Sequence, residues 1–508
     1  MSPTSTPSIL LELLEHAPAD KIAIIIPEQQ LKVTYGALRA QVQAVAEQLA
    51  ALGIRRGDRV GIALPNGLPL VVAFLAASTA GTAAPLNPGY KEDEFRFYLE
   101  DTDARVLILP PEGVDDARRA AGDRVPIVSI DADANGAVTL GGNAGRQALT
   151  PPSLSDVALV LHTSGSTGRP KRVPLAHANL SISAGNVARW YALTPDDVSM
   201  CVMPLFHVHG LVASTLATLR TGGTVVVPAK FNPLSFWRVA RDYGVTWYSA
   251  VPTLHQLLLA RAADPGSRRV PGTERLRFIR SCSAALPPRV MHALETAFGA
   301  PVLEAYGMTE AAHQMASNPL PPADRKPGSV GRGTDVQIGI MDGEGKLVPQ
   351  GQHGEVVIKG PNVITGYENN PAANAVSFVD GWFRTGDRGY LDSDGYLHLV
   401  ARIKELINRG GEKISPREID ELLLAHPAVA EAVCFGVPHG TWGEEVEAAV
   451  VLREGAGASE AELLAFCKER LADYKRPKHI HVTTTIPRTA TGKIQRGAVA
   501  KAYSSNAS

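Results

Sequence analysis

From about residue 20 to 330 the chain alternates short apolar runs with longer segments of helical period. The runs KIAIII (21–26), RVGIAL (59–64), RVLIL (105–109), VALVLHT (157–163), TVVVP (224–228) and VTWYSAV (245–251) are strand-length and rich in β-branched residues. Between them lie patterns such as YGALRAQVQAVAEQLAALG (35–53), with apolar positions three or four apart. Strands alternating with helices predict parallel sheets covered by helices, an α/β fold. From about 330 to 400 strands shorten, glycines are frequent, and the turn sequences DGEG (342–345) and DSDG (392–395) recur. That texture predicts a small antiparallel β subdomain. Beyond 403, SPREIDELLLAHP (415–427) and SEAELLAFCKERLADYKRP (459–477) predict capped helices, and AVAEAVCFGVP (428–438) and EVEAAVVLRE (445–454) predict strands. The expected organisation is a large N-terminal domain over 1–400, with the β subdomain at about 330–400, and an α+β C-terminal domain over 406–508.

Composition narrows the partners. A chain of 508 residues with 45% hydrophobic and 20% charged residues can bury a large core without disulfides or structural metal. Its net charge of −1 supplies no global field toward nucleic acid or an anionic membrane. Cys201, Cys282, Cys434 and Cys467 show no close spacing, so reduced thiols are expected instead of a zinc or disulfide framework. The opening MSPTSTPSILLELLEHAPADK carries Glu12 and Glu15 within its apolar run and no basic leader, which suits a short amphipathic helix. No apolar run is long enough to cross a bilayer, and the terminal SSNAS is not a peroxisomal address. A cytoplasmic protein without nucleic-acid or membrane partners is expected; nothing here bears on its oligomeric state.

HTSGSTGRPKRVPL (162–175) follows one of the predicted strands. Gly165 and Gly168 let backbone N–H groups turn toward an oxygen ligand, Ser164, Ser166 and Thr167 add hydroxyls, and Lys171 adds a point charge. It is not a Walker loop: Arg169 and Pro170 stand where that motif has lysine and a helix start. A phosphate loop and a plain surface loop both fit this composition.

Together with four later segments, the loop resembles the adenylate-forming superfamily of acyl-CoA synthetases, luciferases and carrier-protein adenylation domains. EAYGMTE (304–310), GWFRTGD (381–387), ARIKELINRGGEKISPREID (401–420) and PRTATGKIQR (487–496) are similar to its nucleotide, ribose, hinge and catalytic-lysine motifs, in the right order. The resemblance implies an ATP- and coenzyme A-dependent ligase working through an acyl-adenylate. ATP would contact Thr163 to Gly168, Lys171, Ala284, Glu304, Ala305, Tyr306, Gly307, Thr309, Asp387, Arg402 and Lys493. Glu310 would hold Mg²⁺, Asp387 the ribose diol, and Thr309 a phosphate oxygen. Lys493 would reach the α-phosphate and the attacking carboxylate, a position where a lost cation costs about a hundred- to a thousandfold in rate. Residues 401–405 would form a hinge at Lys404, turning the C-terminal domain so that Gly410, Gly411 and Trp442 meet the pantetheine arm of coenzyme A. The basic run Lys475 to Lys478 would meet coenzyme phosphates or end a solvated helix. Two positions depart from the family pattern: Arg172 replaces a glycine and Ala401 a glycine or aspartate.

The run MTEAAHQMASNPLPPADRKPGSVG (308–331) is similar to the branch that makes oxalyl-CoA. By that likeness His207, Ser283 and His313 converge on the acid. Two imidazoles and a hydroxyl suit a small dianion, whose second carboxylate needs donors when buried; that charge would favour imidazolium. Other readings stand beside this one. His207 and His209, two apart, would share one face of a strand as metal ligands can; Ser283 would be a turn serine. At the level of function, ligases for other carboxylates, an adenylation enzyme serving a separate carrier protein, and a non-catalytic nucleotide-binding regulator are the alternatives.

Overall fold

The computed structural model describes residues 7–142, 145–163, 170–262, 270–489 and 493–504. Two large sheets carry the first part of the chain. In one, six strands run parallel in the order Val302–Met308, Phe278–Ser281, Trp247–Ala250, Val198–Cys201, Thr224–Val226 and Ile22–Ile26. Antiparallel strands extend it: Leu31–Thr34 on one side, His313–Ser317 and then Arg332–Gly333 on the other. In the second, Ile127–Ala132, Ala104–Leu109, Arg59–Ile62, Thr82–Pro85 and Val157–Thr163 run parallel, with antiparallel Val138–Leu140 and Lys171–Ala176 at the edges.

The helix Leu68–Ala80 is buried along its whole length. It is apolar all round because both sides meet protein, packing on the helix Tyr35–Ala51 and on the second sheet. Tyr35–Ala51 buries Leu38, Val42, Val45 and Leu49 on one stripe, and Thr34 caps it by accepting the Ala37 N–H at 3.2 Å. The third sheet is antiparallel: Gln337–Met341, Gly354–Lys359, Trp382–Leu391, Phe378–Val379 and Leu397–Arg402. After the 3₁₀ turn Ile403–Glu405 a fourth sheet begins, with Val429–His439 and Gly443–Leu452 as its long hairpin and a core of its own around Ile407, Ile419, Cys434 and Leu463.

The α/β class, the antiparallel insert and the α+β end all match the pattern of the sequence. Three local expectations change. The opening apolar run is a 3₁₀ helix, Leu10–Glu15, burying Leu10, Leu13 and Leu14. Ser459 caps its helix in a capping box, but Ser415 does not cap Pro416–Leu424; its hydroxyl donates to Val400 O at 2.8 Å. His207 and His209 do not lie on a strand: His207 is in a turn, and His209 opens a π-helix, His209–Leu216.

Candidate active site between the large sheets and the C-terminal unit

A cavity of about 360 Å³ opens where strand ends of the first sheet meet the third and fourth sheets. Ser283, Ala284, Ala305, Tyr306, Gly307, Asp387, Arg402 and Lys493 all line it. Five separate stretches of chain therefore converge here. Asp387 and Arg402 face each other across an antiparallel pair and form an ion pair of 2.9 Å. The Tyr306 hydroxyl donates to the other Asp387 oxygen. Burial pushes the Asp387 carboxyl up and Arg402 pulls it back, while burial and the neighbouring carboxylate drive the Tyr306 phenol well up. Lys493 enters from the end of the chain; burial, then the positive charge of Arg402, lowers its pKa.

The segment after Met308 carries the next group of expected residues. Thr309, Glu310 and Ala311 form one 3₁₀ turn after the strand Val302–Met308. Glu310 is buried and accepts the Tyr367 hydroxyl at 2.9 Å; its second oxygen has no partner among the described residues. The Lys171 ammonium sits 4.4 Å from the centre of the Tyr367 ring. Burial lowers its pKa, and Glu310 and Lys404 are near enough for their charges to act on it. Thr163 ends one strand and pairs with Lys171 on the next. Ser164, Gly165, Ser166, Thr167 and Gly168, between them, lie outside the described residues. The Arg172 side chain does not face solvent. It is drawn to Asp101 (3.4 Å) and Glu368 (3.8 Å), which also hold His162 and Arg59.

Glu304 is not in the lining. Its carboxylate accepts the Gly328 N–H at 3.0 Å, and burial pushes its pKa up to about 7. Gly410, Gly411 and Trp442 are also elsewhere: they form one corner, with Gly410 N–H donating to Trp442 O at 2.8 Å, and none lines the cavity. Lys404 is the middle residue of the 3₁₀ turn Ile403–Glu405. In the basic run, Lys475 pairs with Glu418 at 2.7 Å and Arg476 donates to the Leu471 and Lys468 carbonyls.

Behind Ser283 lies a polar cluster; of the three residues expected to meet the acid only Ser283 lines the cavity, and His207 and His313 stand behind it. His209 and His313 are buried with ring centres 5.0 Å apart. His209 Nδ1 is 3.2 Å from Ser283 Oγ and its Nε2 2.7 Å from Ser249 Oγ. His207 joins them through its Nδ1, which accepts the His209 backbone N–H at 3.2 Å. Burial holds all three imidazoles neutral in this state: His207 is lowered to about 3, further depressed by Lys493, and the other two fall well below the ordinary value, depressed next by Arg280. The positive charge of this cluster belongs to Arg280 and not to imidazolium. Ser283 has φ +73° and His313 φ +105°, conformations that L-residues adopt only when surroundings enforce them. At Gly307 the missing side chain is what admits His313: a Cβ there would lie 2.1 Å from the His313 carbonyl oxygen.

Among the described residues, no group of three or more His, Cys, Asp and Glu is placed to hold a metal. His209, Arg280, Ser249 and Tyr367 were not among the residues expected here. The one sequence signal was an arginine inside the apolar run RFIRSC (277–282). Nor does any helix among the described residues reach the length and apolarity needed to cross a membrane.

The chain has known relatives over nearly its whole length. The chain is 48% identical to a probable CoA ligase, CCL9, of Humulus lupulus, with 97% of this chain and 96% of the other covered. It is 45% identical to the oxalate–CoA ligase of Arabidopsis thaliana, over 98% and 99% of the two chains. The crystal structure of ATP-bound MatB from Rhodopseudomonas palustris superposes with a TM-score of 0.90 at 32% identity, covering 99% of this chain and 100% of that one. Residues 12–368 match the AMP-binding enzyme family and 418–493 the AMP-binding enzyme C-terminal domain. With relatives and both signatures in agreement, the chain belongs to the AMP-binding enzyme family.

Proposed function

We propose that this protein is an oxalate–CoA ligase, converting oxalate, ATP and coenzyme A to oxalyl-CoA, AMP and diphosphate. The observation that carries the choice of acid is the polar cluster of His209 and His313 that stands behind the cavity-lining Ser283, over the buried Arg280. An aliphatic or aromatic acyl group would leave those donors unpaired, which discriminates strongly against it. A two-carbon diacid would pair its second carboxylate there.

In the first step one carboxylate oxygen of oxalate bonds to the α-phosphorus, and the bond to the bridging oxygen of diphosphate breaks. Lys493, lining the cavity, places a cation where negative charge builds on the α-phosphoryl oxygens. Lys171 and Thr309 supply donors for the departing phosphates, and Asp387 retains lone pairs for the ribose hydroxyls. Glu310 fits a magnesium ion: it is a hard oxygen donor with one carboxylate oxygen fixed by Tyr367 and the other without a partner among the described residues. When bound, Mg²⁺ would neutralise phosphate charge. In the second step the coenzyme thiol loses its proton to solvent, its sulfur bonds to the acyl carbon, the bond from that carbon to the AMP phosphate oxygen breaks, and AMP leaves with that electron pair. We assign that step to Gly410, Gly411 and Trp442, brought in by a turn about Lys404 that separates a domain of residues 1–400 from one of 406–508.

The test is a panel of carboxylates with ATP, Mg²⁺ and coenzyme A, following AMP and thioester. Oxalate is the expected best substrate, and Lys493→Ala should slow adenylate formation about a hundred- to a thousandfold. Turnover of cinnamates or medium-chain acids with none on oxalate would reject the choice of acid. Adenylate without thioester from free coenzyme A would point to a separate carrier protein.

A further inference from the structure

Arg280 is fully buried, yet no carboxylate pairs with it among the described residues. Its N–H groups go to Tyr191 Oη (3.0 Å), Ser249 Oγ (2.9 Å), Gln314 Oε1 (3.0 and 3.2 Å), His209 Nε2 (3.5 Å) and His313 Nδ1 (3.4 Å). Every partner is neutral. A buried charge without a counter-ion is costly, so the cluster is poised for a negative charge that the protein itself does not bring.

Arginine only donates, and this sets the direction of the network it anchors. Arg280 also reaches His209 Nε2 at 3.5 Å and can only donate, so that nitrogen is an acceptor and the Ser249 proton points to it at 2.7 Å, while Ser249 Oγ accepts from Arg280. His209 Nε2 then accepts, which puts the ring proton on Nδ1, 3.2 Å from Ser283 Oγ. Ser283 Oγ accepts in turn, and its O–H is left to donate into the cavity that Ser283 lines. The second branch runs the same way. His313 Nδ1 accepts from Arg280, so the proton of His313 is on Nε2, which has no partner among the described residues. Both branches end in donors.

We infer that Arg280 is the positioning residue for the non-reacting carboxylate of the acid: it orients Ser283 and His313 as donors and balances that carboxylate's charge through them. The ligand class that follows is a small acid whose far end is an acceptor-only anion. A neutral isostere such as oxamate brings an amide NH₂ that finds no acceptor. The inference rests on the oxalate reading above, and adds a residue and a direction to it.

The experiment measures adenylate formation with oxalate and with oxamate, and ATP binding, in wild type, Arg280→Gln, Arg280→Lys and Ser249→Ala. Arg280→Gln should raise the oxalate KM about ten- to a hundredfold, the worth of a hydrogen bond to a charged group, and leave ATP affinity unchanged. The preference for oxalate over oxamate should collapse with it. Arg280→Lys, which keeps the charge, should recover much of that preference. Ser249→Ala keeps the guanidinium and cuts one branch; a several-fold loss of preference is expected, and this variant decides the matter if Arg280→Gln does not fold. An arginine that only braces the sheet would lower both acids alike, so an unmoved oxalate-to-oxamate ratio in Arg280→Gln or Ser249→Ala overturns the inference. A wild type inactive on oxalate overturns the parent reading, and does so before any variant is made.

Discussion

At the scale of single residues, the polar cluster depends on one side chain that is missing. Gly307 and His313 sit on adjacent antiparallel strands, with Gly307 opposite Gln314 and Met308 opposite His313. A methyl at 307 would also come within 3.1 Å of His313 Nδ1, the atom that accepts from Arg280. Forcing extra volume into such a site costs about 1–3 kcal/mol, and here His313 would take up the displacement. Gly307→Ala should therefore lower kcat/KM for oxalate about tenfold or more while the protein stays folded. Unaltered oxalate kinetics would show that His313 does not need its present position. Part of this cluster could be named from the sequence. His207, Ser283 and His313 stood out because their motifs resemble a known branch. Arg280 did not: its partners Tyr191, Ser249 and Gln314 are far apart in the chain, and only the sheet brings them together.

At the scale of elements, strands and helices followed from apolar period because each buries one face, and that period is written locally. What period could not show was where polar side chains are spent. Ser415 reads as a helix cap, but Val400 O lies within its reach and takes the hydroxyl. The π-helix after His207 is equally invisible, since its register is set by packing and not by composition. His177 shows a polar residue joining three elements. It starts the helix His177–Trp190, accepts the Leu10 N–H at Nδ1 (3.2 Å) and donates from Nε2 to Ser78 O (3.0 Å). Burial lowers its pKa from 6.5 to about 4. The unfolded chain thus binds this proton as pH falls through 6.5, and the native state does not until about 4. Stability is full above 6.5 and declines through that window, by up to about 1.4 kcal/mol per pH unit for one such group. Thermal melts from pH 7 to pH 4.5 should fall less steeply in His177→Gln than in wild type, although the variant starts lower. Parallel slopes would mean that His177 does not carry the acid sensitivity.

At the scale of the whole molecule, the proposed reaction asks two sets of residues on the C-terminal unit to use one place in turn. Lys493 lines the cavity in this arrangement; Gly410, Gly411 and Trp442 do not. A ligase that needs Lys493 for adenylate formation and the glycine corner for thioester formation must exchange them. The exchange has a natural pivot in the three-residue turn Ile403–Glu405, where one sheet ends at Arg402 and the next begins at Ile407. Proline at 404 tests this directly. Its φ of about −65° suits the present 3₁₀ turn, flanked by φ −72° at Arg402 and −61° at Leu406, and the N–H it removes lies in the first turn, where no intrahelical acceptor exists. Lys404→Pro should therefore hold the molecule as it stands. Oxalate-dependent diphosphate release should stay near wild type, whereas thioester formation from preformed oxalyl-adenylate should drop by orders of magnitude, because the torsion that moves the C-terminal unit is locked. Equal loss of both half-reactions would mean that the substitution merely distorts the cavity. Loss of neither would place the pivot elsewhere in the chain, or show that the glycine corner reaches the adenylate without turning.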